Sequence, residues 1–360
     1  MFAQAHTPPL LTRNDLDTYL EKGWFRMGQT IFTTNFIHFK NDMYSTIWLR
    51  ILLEEYEADS TQLKLFKQNS KFKTSIKPAI IDDEKEELYT RYRESLPFQP
   101  SESLHHLLFG KSDKESIYTT YELTVYENNK LIACGFFDMG ETSAEGITSF
   151  YDPAYKKYSL GKYLIYLKLQ YCKDLKMRYF YPGYFVPGYS FFDYKLSIGR
   201  VVMQFLQLST QSWIWMHSFS EDSIPYLVMK NKLLLVQHVL AKSNRDSQVV
   251  NYEFFDSNLI PELRDSELFD FPVFLLSESV HSMNPLLVVY DVRDGAYHLL
   301  SCVPIWEPGE TNKETSFYST YFLKSMHELY TTSSVDEIAM VFLKILNSQG
   351  FTPHPTITSA

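Results

Sequence analysis

Cysteine is nearly missing from this sequence. Its 360 residues include three, Cys134, Cys172 and Cys302. Far apart and odd in number, they exclude a disulfide framework and a cysteine-based zinc site, and a reduced, cytoplasmic setting is the expectation. No apolar run reaches the roughly 20 residues needed to cross a bilayer, so no membrane partner is expected. The opening "MFAQAHTPPL" lacks the basic-then-apolar pattern of a leader. Positive charge is also in short supply: 34 Lys and Arg against 43 Asp and Glu leave a net −9. That balance excludes a protein that coats nucleic acid with its whole surface, but not a local basic stripe. No repeat or low-complexity tract occurs. The ten histidines form no ligand set, since His105 and His106 are neighbours whose side chains diverge. No Ser-His-Asp or Cys-His arrangement stands out, and neither a metal nor a cofactor is called for.

What is present is aromatic. Phe, Trp and Tyr make up 16% of the chain, enough either to line clefts with rings or to fill a core where other proteins use leucine. The length predicts two or three structural units. "TRNDLDTYLEKG" (12–23) reads as a short helix with Leu16, Tyr19 and Leu20 on one face and Gly23 as its stop. "WFRMGQTIFTTNFIHF" and "MYSTIWLRILL" read as strands. Residues 60–78 carry five lysines and no acid. "DDEKEELYTRYRESL" is a helix with acids in its first turn and Leu88 and Tyr92 at i, i+4. "YELTVYENNKLIACGFFDMG" is a hairpin turning at Asn128-Asn129. A strand through "EGITSFYD", a helix over 159–176 and a strand through "MRYFYPGYFV" follow. Beyond about residue 200 the pattern is mixed until a closing helix, with Ser334 and Glu337 as its capping box and Gly350 as its stop.

The join "SFYDPAYKKYSLGKYL" (149–164) carries the most chemistry. Leu160, Tyr163, Leu164, Leu167 and Tyr171 follow helical spacing and should face a sheet. The helix start offers free backbone N–H groups and a partial positive charge, and Gly161 permits close approach to that backbone. Seven basic residues against one acid lie between Lys156 and Arg178. Phosphate or a nucleic-acid end suits such a place.

The order hairpin, strand, loop, helix, strand resembles the core of GNAT acyltransferases. The usual phosphate loop there has two nearby glycines, whereas "KKYSLGKY" has one. Five ordered motifs are more specific: Asp138 ending an apolar strand, Phe150-Tyr151-Asp152-Pro153, Ser159-Leu160-Gly161, Tyr181-Pro182-Gly183-Tyr184, and Tyr194-Lys195. In this order they resemble the aminoacyl-tRNA–protein transferases, the arginyl- and leucyl-transferases of the N-degron pathway. The likeness covers about residues 23–200. Two departures stand out: "GWFRMGQTIFTTNF" lacks the family's N-terminal cysteine cluster, and the chain runs long after residue 200.

The resemblance implies an α+β fold with a GNAT-like acyltransferase core, a mixed sheet flanked by helices. It implies an N-terminal transferase-like subdomain (1–100), a GNAT-like aminoacyl-tRNA-binding domain (101–200) and a C-terminal extension (201–360). The implied activity is transfer of an amino acid from aminoacyl-tRNA to an acceptor protein's N-terminal amine, marking it for proteolysis. A CoA-dependent N-acyltransferase and a non-catalytic module binding tRNA or N-termini are the alternatives. On this reading Ser159, Leu160, Gly161, Lys162 and Tyr163 take the terminal phosphate and ribose, with Lys156 and Lys157 on nearby phosphates and the 60–78 lysines along the acceptor stem. Asp138 and Asp152 are candidates to orient the amine or to pair with a cationic aminoacyl group, although Asp-Pro is also a common turn start. Tyr151, Tyr181 and Tyr184 are candidates to stack on the terminal adenine, with Tyr181 also able to protonate the leaving hydroxyl. Gly183 and Lys195 enter on their motifs alone.

Overall fold

The computed structural model of the chain describes residues 1–97, 100–110, 116–277, 284–305, 317–318 and 322–348. Strand β1 (Ala3–His6) precedes helix α1 (Arg13–Glu21), which Thr12 and Asp15 cap reciprocally at 3.0–3.1 Å. Strands β2 (Phe25–Met27) and β3 (Thr30–Thr34) join β1 in a small sheet ordered β1-β3-β2. β4 (Phe36–Phe39) and β5 (Asp42–Ser45) make a hairpin, and β6 (Ile47–Leu52) leaves it for the main sheet. The lysine-rich stretch divides into helix α2 (Ser60–Asn69) and strand β7 (Lys73–Pro78). Helices α3 (Asp83–Glu94) and α4 (Leu104–Phe109) follow, then β8 (Thr120–Glu127), β9 (Lys130–Met139), β10 (Ser143–Tyr151), α5 (Leu160–Asp174) and β11 (Tyr179–Phe185). The β8–β9 turn at Asn128-Asn129 has φ of 48° and 66°, which asparagine tolerates and a tight hairpin needs.

These strands, with β12 (Met203–Gln207) and β13 (Ser212–Trp215), form an eight-stranded sheet ordered β13-β12-β6-β11-β10-β9-β8-β7. Every neighbouring pair is antiparallel except β10 and β11, which α5 connects. The expected mixed sheet flanked by helices is therefore present. One face packs on α5 through Leu160, Leu164, Leu169 and Cys172, together with Phe137 and Phe180 from the strands. The other face meets α3 and α4 through Leu88, Leu104 and Phe136, and meets α1 and the small sheet through Leu16, Leu20 and Trp48. Covered on both sides, β9 is buried from Leu131 to Met139 and reads as one apolar run.

The stretch that was hard to read is a second unit. Helix α6 (Pro225–Lys242) leads into β14 (Gln248–Tyr252), β15 (Val273–Leu276), β16 (Leu286–Asp291), β17 (Ala296–Pro304), β18 (Phe317–Tyr318), β19 (Leu323–Thr332) and α7 (Val335–Ser348). Its sheet is ordered β18-β14-β15-β16-β17-β19. Leu233, Val236 and Leu240 of α6 and Ile338, Phe342 and Leu346 of α7 belong to its core, which also takes in Phe2, Phe36 and Met43 from the chain's beginning. The capping box of α7 is half made. Ser334 Oγ accepts from the Glu337 N–H at 3.3 Å, but the Glu337 carboxylate is held by Thr332 Oγ1 instead. Gly350 lies outside the described residues. The ranges 1–100, 101–200 and 201–360 all contribute strands to the large sheet: β6 and β7, β8 to β11, and β12 and β13. Among the described residues no helix is long and apolar enough to cross a membrane.

Candidate active site

The one parallel pair in the large sheet opens a cleft. β10 and β11 pair at three positions, Ser143 with Tyr179, Ala144 with Phe180 and Glu145 with Tyr181. Past that row each strand is irregular: β10 shifts register against β9 between Gly146 and Thr148, and β11 shifts against β6 between Phe180 and Gly183. Bulges bend strands and terminate pairing, so the two part toward their C-terminal ends. Lys168 of α5 secures the distortion from beneath. Its Nζ donates to Phe136 O (2.9 Å), Thr148 O (2.8 Å) and Ser149 Oγ (3.1 Å). A Cβ on Gly135 would stand 2.8 Å from that Nζ, so the small residue makes room for the ammonium. Burial lowers the Lys168 pKa to about 7.

At the open end, β10 runs into Asp152. Its carboxylate accepts from the Ala154 N–H (3.0 Å) and pairs with Lys130 Nζ (2.7 Å), starting the 3-10 turn Pro153–Tyr158. Burial works against its charge, yet Lys130 and the Ala154 amide outweigh burial and hold the carboxyl below its usual range. Ser159 then takes a left-handed conformation (φ 49°, ψ 44°), and its side chain does not cap α5. Tyr163 N–H is the first to bond back, to Ser159 O at 3.1 Å. The amides of Leu160, Gly161 and Lys162 therefore lack intrahelical partners and point out of the helix mouth. Gly161 faces Tyr151, where an added Cβ would sit 3.5 Å from the ring. The side chains of Leu160 and Tyr163 are buried in the core, so they support the loop from below instead of lining it.

Lys156, Lys157 and Lys162 are exposed and have no ion-pair partner among the described residues. Helix α2 lies against this loop through Asn69 Nδ2 to Tyr158 O (3.0 Å) and Gln68 Nε2 to Lys157 O (3.2 Å). The 60–78 lysines thus adjoin the mouth. Lys64, Lys67 and Lys73 are exposed and unpaired among the described residues, whereas Lys71 meets Glu127 (3.7 Å) and Lys77 meets Glu122 (3.5 Å). The basic run of 156–178 is thinner than its count suggests. Lys168 is buried at the bulge, and Lys173 pairs with Glu57 at 3.1 Å.

Rings line the walls. On the β10 side Tyr151 packs on Tyr92 of α3 with centroids 5.3 Å apart. On the β11 side Tyr184 lies 5.4 Å from Phe192 and edge-on to Trp48 (4.9 Å), which stacks flat on Phe25 at 3.7 Å. Lys195 Nζ, from the 3-10 turn Ser190–Ser197, donates to Tyr184 O at 2.8 Å. Gly183, at φ 85°, would place a Cβ 3.1 Å from that Nζ. Tyr92 is pushed up to about 12, first by burial and then by its neighbours Tyr151 and Tyr194. The sequence marks Tyr92 only as a helix-face partner of Leu88 and does not mark Phe192. A tyrosine on a helix face and a phenylalanine in an aromatic run carry no local mark of a cleft.

Asp138 and Tyr181 fall on the buried side of the sheet. Register places Thr120, Asp138, Glu145 and Tyr181 in one row across β8 to β11. Asp138 is fully buried and bonded to Arg26 Nη1 at 3.0 and 3.1 Å, while Thr120 Oγ1 donates to it at 2.6 Å. Arg26 also caps the Leu108 carbonyl and lies 4.4 Å over the Tyr118 ring. Glu145 accepts from the Arg26 N–H at 2.9 Å, and its pKa is pushed up to about 8 by burial and then by Asp138. Tyr181 is 1% exposed, with its hydroxyl 3.5 Å from Glu21 Oε2 and burial raising its pKa. The three residues nominated for catalysis thus hold an ion pair (Asp138), a turn (Asp152) and a core contact (Tyr181). None of the three lines the cleft with a free side chain.

Residues 23–36, which carry β2, β3 and the start of β4, contain no cysteine, so the site of the family's cysteine cluster offers no thiolates for a metal or iron–sulfur group. The three cysteines are buried in β9, α5 and β17. Among the described residues no set of three or more His, Cys, Asp or Glu is placed to hold a metal ion.

A family model described as arginine-tRNA-protein transferase, C terminus, matches residues 84–203, which include both walls of the cleft and the helix mouth. The aspartate/glutamate leucyltransferase of Leptospira interrogans is 31% identical over 192 residues, spanning 52% of this chain and 73% of that protein. Proteins of the same description from Vibrio cholerae (28%, 54% of this chain and 82% of theirs) and Campylobacter jejuni (26%, 49% and 74%) are similar as well. Among solved structures, FemX overlays at a TM-score of 0.30 (8% identity, 52% of this chain and 64% of that one). The Escherichia coli ribosomal-protein-S18-alanine N-acetyltransferase overlays at 0.21 (16%, 29% and 63%). Overlays this loose carry no weight.

Proposed function

The chain belongs to the aminoacyl-tRNA–protein transferase family, and we propose that it moves an amino acid from a charged tRNA to the N-terminal α-amine of an acceptor protein. The relatives' description favours leucine as the donor group and acceptors that begin with Asp or Glu. Marking those acceptors for proteolysis would be the outcome, and a tRNA substrate implies a cytoplasmic site of action.

The observation that carries this reading is the cleft mouth. Three open helix amides, three lysines unpaired among the described residues and the ring of Tyr151 converge where β10 and β11 part. A terminal phosphate suits the amides of Leu160, Gly161 and Lys162. Lys156, Lys157 and Lys162 suit the phosphates next to it. Tyr151 and Tyr184 offer faces for the terminal adenine, a contact worth about 1–3 kcal/mol per base. The chemistry is modest: the amine nitrogen bonds to the ester carbonyl carbon, the ester C–O bond breaks, and the amine's proton passes to the departing ribose oxygen, which leaves as the hydroxyl. An α-amine with a pKa of about 7.7–8.0 is already partly neutral near pH 7, so positioning supplies much of the acceleration.

The test is to incubate the full chain with leucyl-tRNA, arginyl-tRNA or acetyl-CoA and peptides beginning with Asp, Glu, Lys or Arg. A mass gain of one leucine on the Asp and Glu peptides is expected. An acetyl gain instead, or no aminoacyl gain on any peptide, would overturn the reading.

A further inference from the structure

Lys195 stands between two aromatic rings on the β11 side. No acidic side chain pairs with it among the described residues, and burial is what lowers its pKa, to about 7. Its ammonium lies 5.3 Å from the Tyr184 ring and 5.2 Å from the Phe192 ring. One of its three N–H donors goes to Tyr184 O, which leaves two directed elsewhere. Gly183 clears the space beside it, since a Cβ there would crowd the Nζ at 3.1 Å. The side chain stays half-buried, neither sealed in the core nor free in solvent.

Its position separates it from the phosphate seat. Lys195 belongs to the β11 wall, whereas the open amides and the exposed lysines belong to the far end of β10 and the start of α5. The Tyr92–Tyr151 ring contact, at 5.3 Å, lies on the β10 side with the helix mouth, while Lys195 keeps to Tyr184 and Phe192. An anion on Lys195 is therefore a second anion. Two rings, Tyr184 and Phe192, flank the ammonium, and removing water there strengthens a charge-assisted bond to a compact carboxylate. A hydrated phosphate has its own place among the solvent-facing lysines.

We propose that Lys195 reads the side-chain carboxylate of the acceptor's first residue, making it the determinant of preference for Asp or Glu over Asn or Gln. The assignment rests on the transferase reading above. A site that offers donors to a buried carboxylate discriminates against the amide twice, by losing the ion pair and by leaving the ammonium unanswered.

The experiment uses the full chain, leucyl-tRNA and peptides that differ only in beginning with Asp or Asn. The readout is the ratio of kcat/KM values, which cancels any loss of folded protein. Wild type should favour Asp at least ~tenfold, Lys195→Met should bring the ratio close to one, and Lys195→Arg should restore part of it. A Lys195→Met variant that keeps the wild-type ratio overturns the proposal. So does a weakened tRNA affinity with the ratio unmoved, which would place a tRNA phosphate on Lys195. If wild type transfers leucine to both peptides equally, this proposal fails while the transferase reading stands. If it transfers to neither, the transferase reading itself fails.

Discussion

Six lysines near the cleft mouth are exposed and unpaired among the described residues: Lys64, Lys67, Lys73, Lys156, Lys157 and Lys162. Lys71, Lys77, Lys130 and Lys173 already face Glu127, Glu122, Asp152 and Glu57. Counterion release scales with the number of phosphates neutralised, at roughly 0.7–0.9 per contact in the slope of log affinity against log salt. One phosphate for each unpaired lysine gives a slope of roughly −4 to −5.5, or a loss of several hundred- to about 2,000-fold in tRNA affinity between about 50 and 200 mM salt. Replacing Lys156, Lys157 and Lys162 together with Gln should halve the slope and reduce that loss to about 20- to 40-fold. Filter binding or fluorescence anisotropy with uncharged tRNA across a salt series reads both numbers. A double Lys71→Gln, Lys77→Gln variant serves as the control, because its lysines are already committed to carboxylates. The reasoning is refuted if the triple variant keeps the wild-type slope, or if the control lowers it as much.

Two further outcomes follow from the local chemistry. Glu145 keeps its proton up to about 8 in the folded chain, against 4.5 when free, so the native state binds the extra proton between those values and stability falls as pH rises through that window. The ceiling of that loss is on the order of 4–5 kcal/mol, and Glu145→Gln should flatten it. Thermal melts of the two proteins should diverge between pH 5 and pH 8, the variant melting higher at the upper end; parallel curves would contradict the assignment. Gly161→Ala should be neutral or stabilise by up to ~1 kcal/mol, because the position is helical and the new methyl meets Tyr151 at ordinary contact distance. The same methyl narrows access to the open amides, so tRNA affinity should weaken severalfold without a drop in melting temperature; unchanged affinity would show that no phosphate approaches there.

Much of the central region could be read from residue order. The acid-rich start of α3, the Asn128-Asn129 turn and the apolar stripe of α5 each depend on neighbours within a few positions. So does the Ser159-Leu160-Gly161 start of α5, which put the helix mouth where it lies. The nominated catalytic residues fared differently. Asp138 ends an apolar strand in any window one reads, but its burial depends on Arg26, 112 residues away. Tyr181 and Tyr184 occupy one motif and meet different environments because the β11 irregularity between Phe180 and Gly183 changes how the strand faces its neighbours. The C-terminal unit was opaque because β19 is largely exposed, which weakens its alternation.

Up to about residue 200 the sequence by itself determined most of the elements and their order, since helical and strand periodicities and turn residues act over a few positions. It also determined that the helix after β10 begins with free amides among lysines. Tertiary structure decided which of those lysines stay unpaired, which tyrosines line a cleft, and that Lys195 has no counter-charge among the described residues. Those facts arise from register, paired bulges and contacts closed over a hundred residues or more, as when Phe2 enters the same core as Phe342. Such contacts are selected by burying a whole face at once, and no short window of residues contains that face.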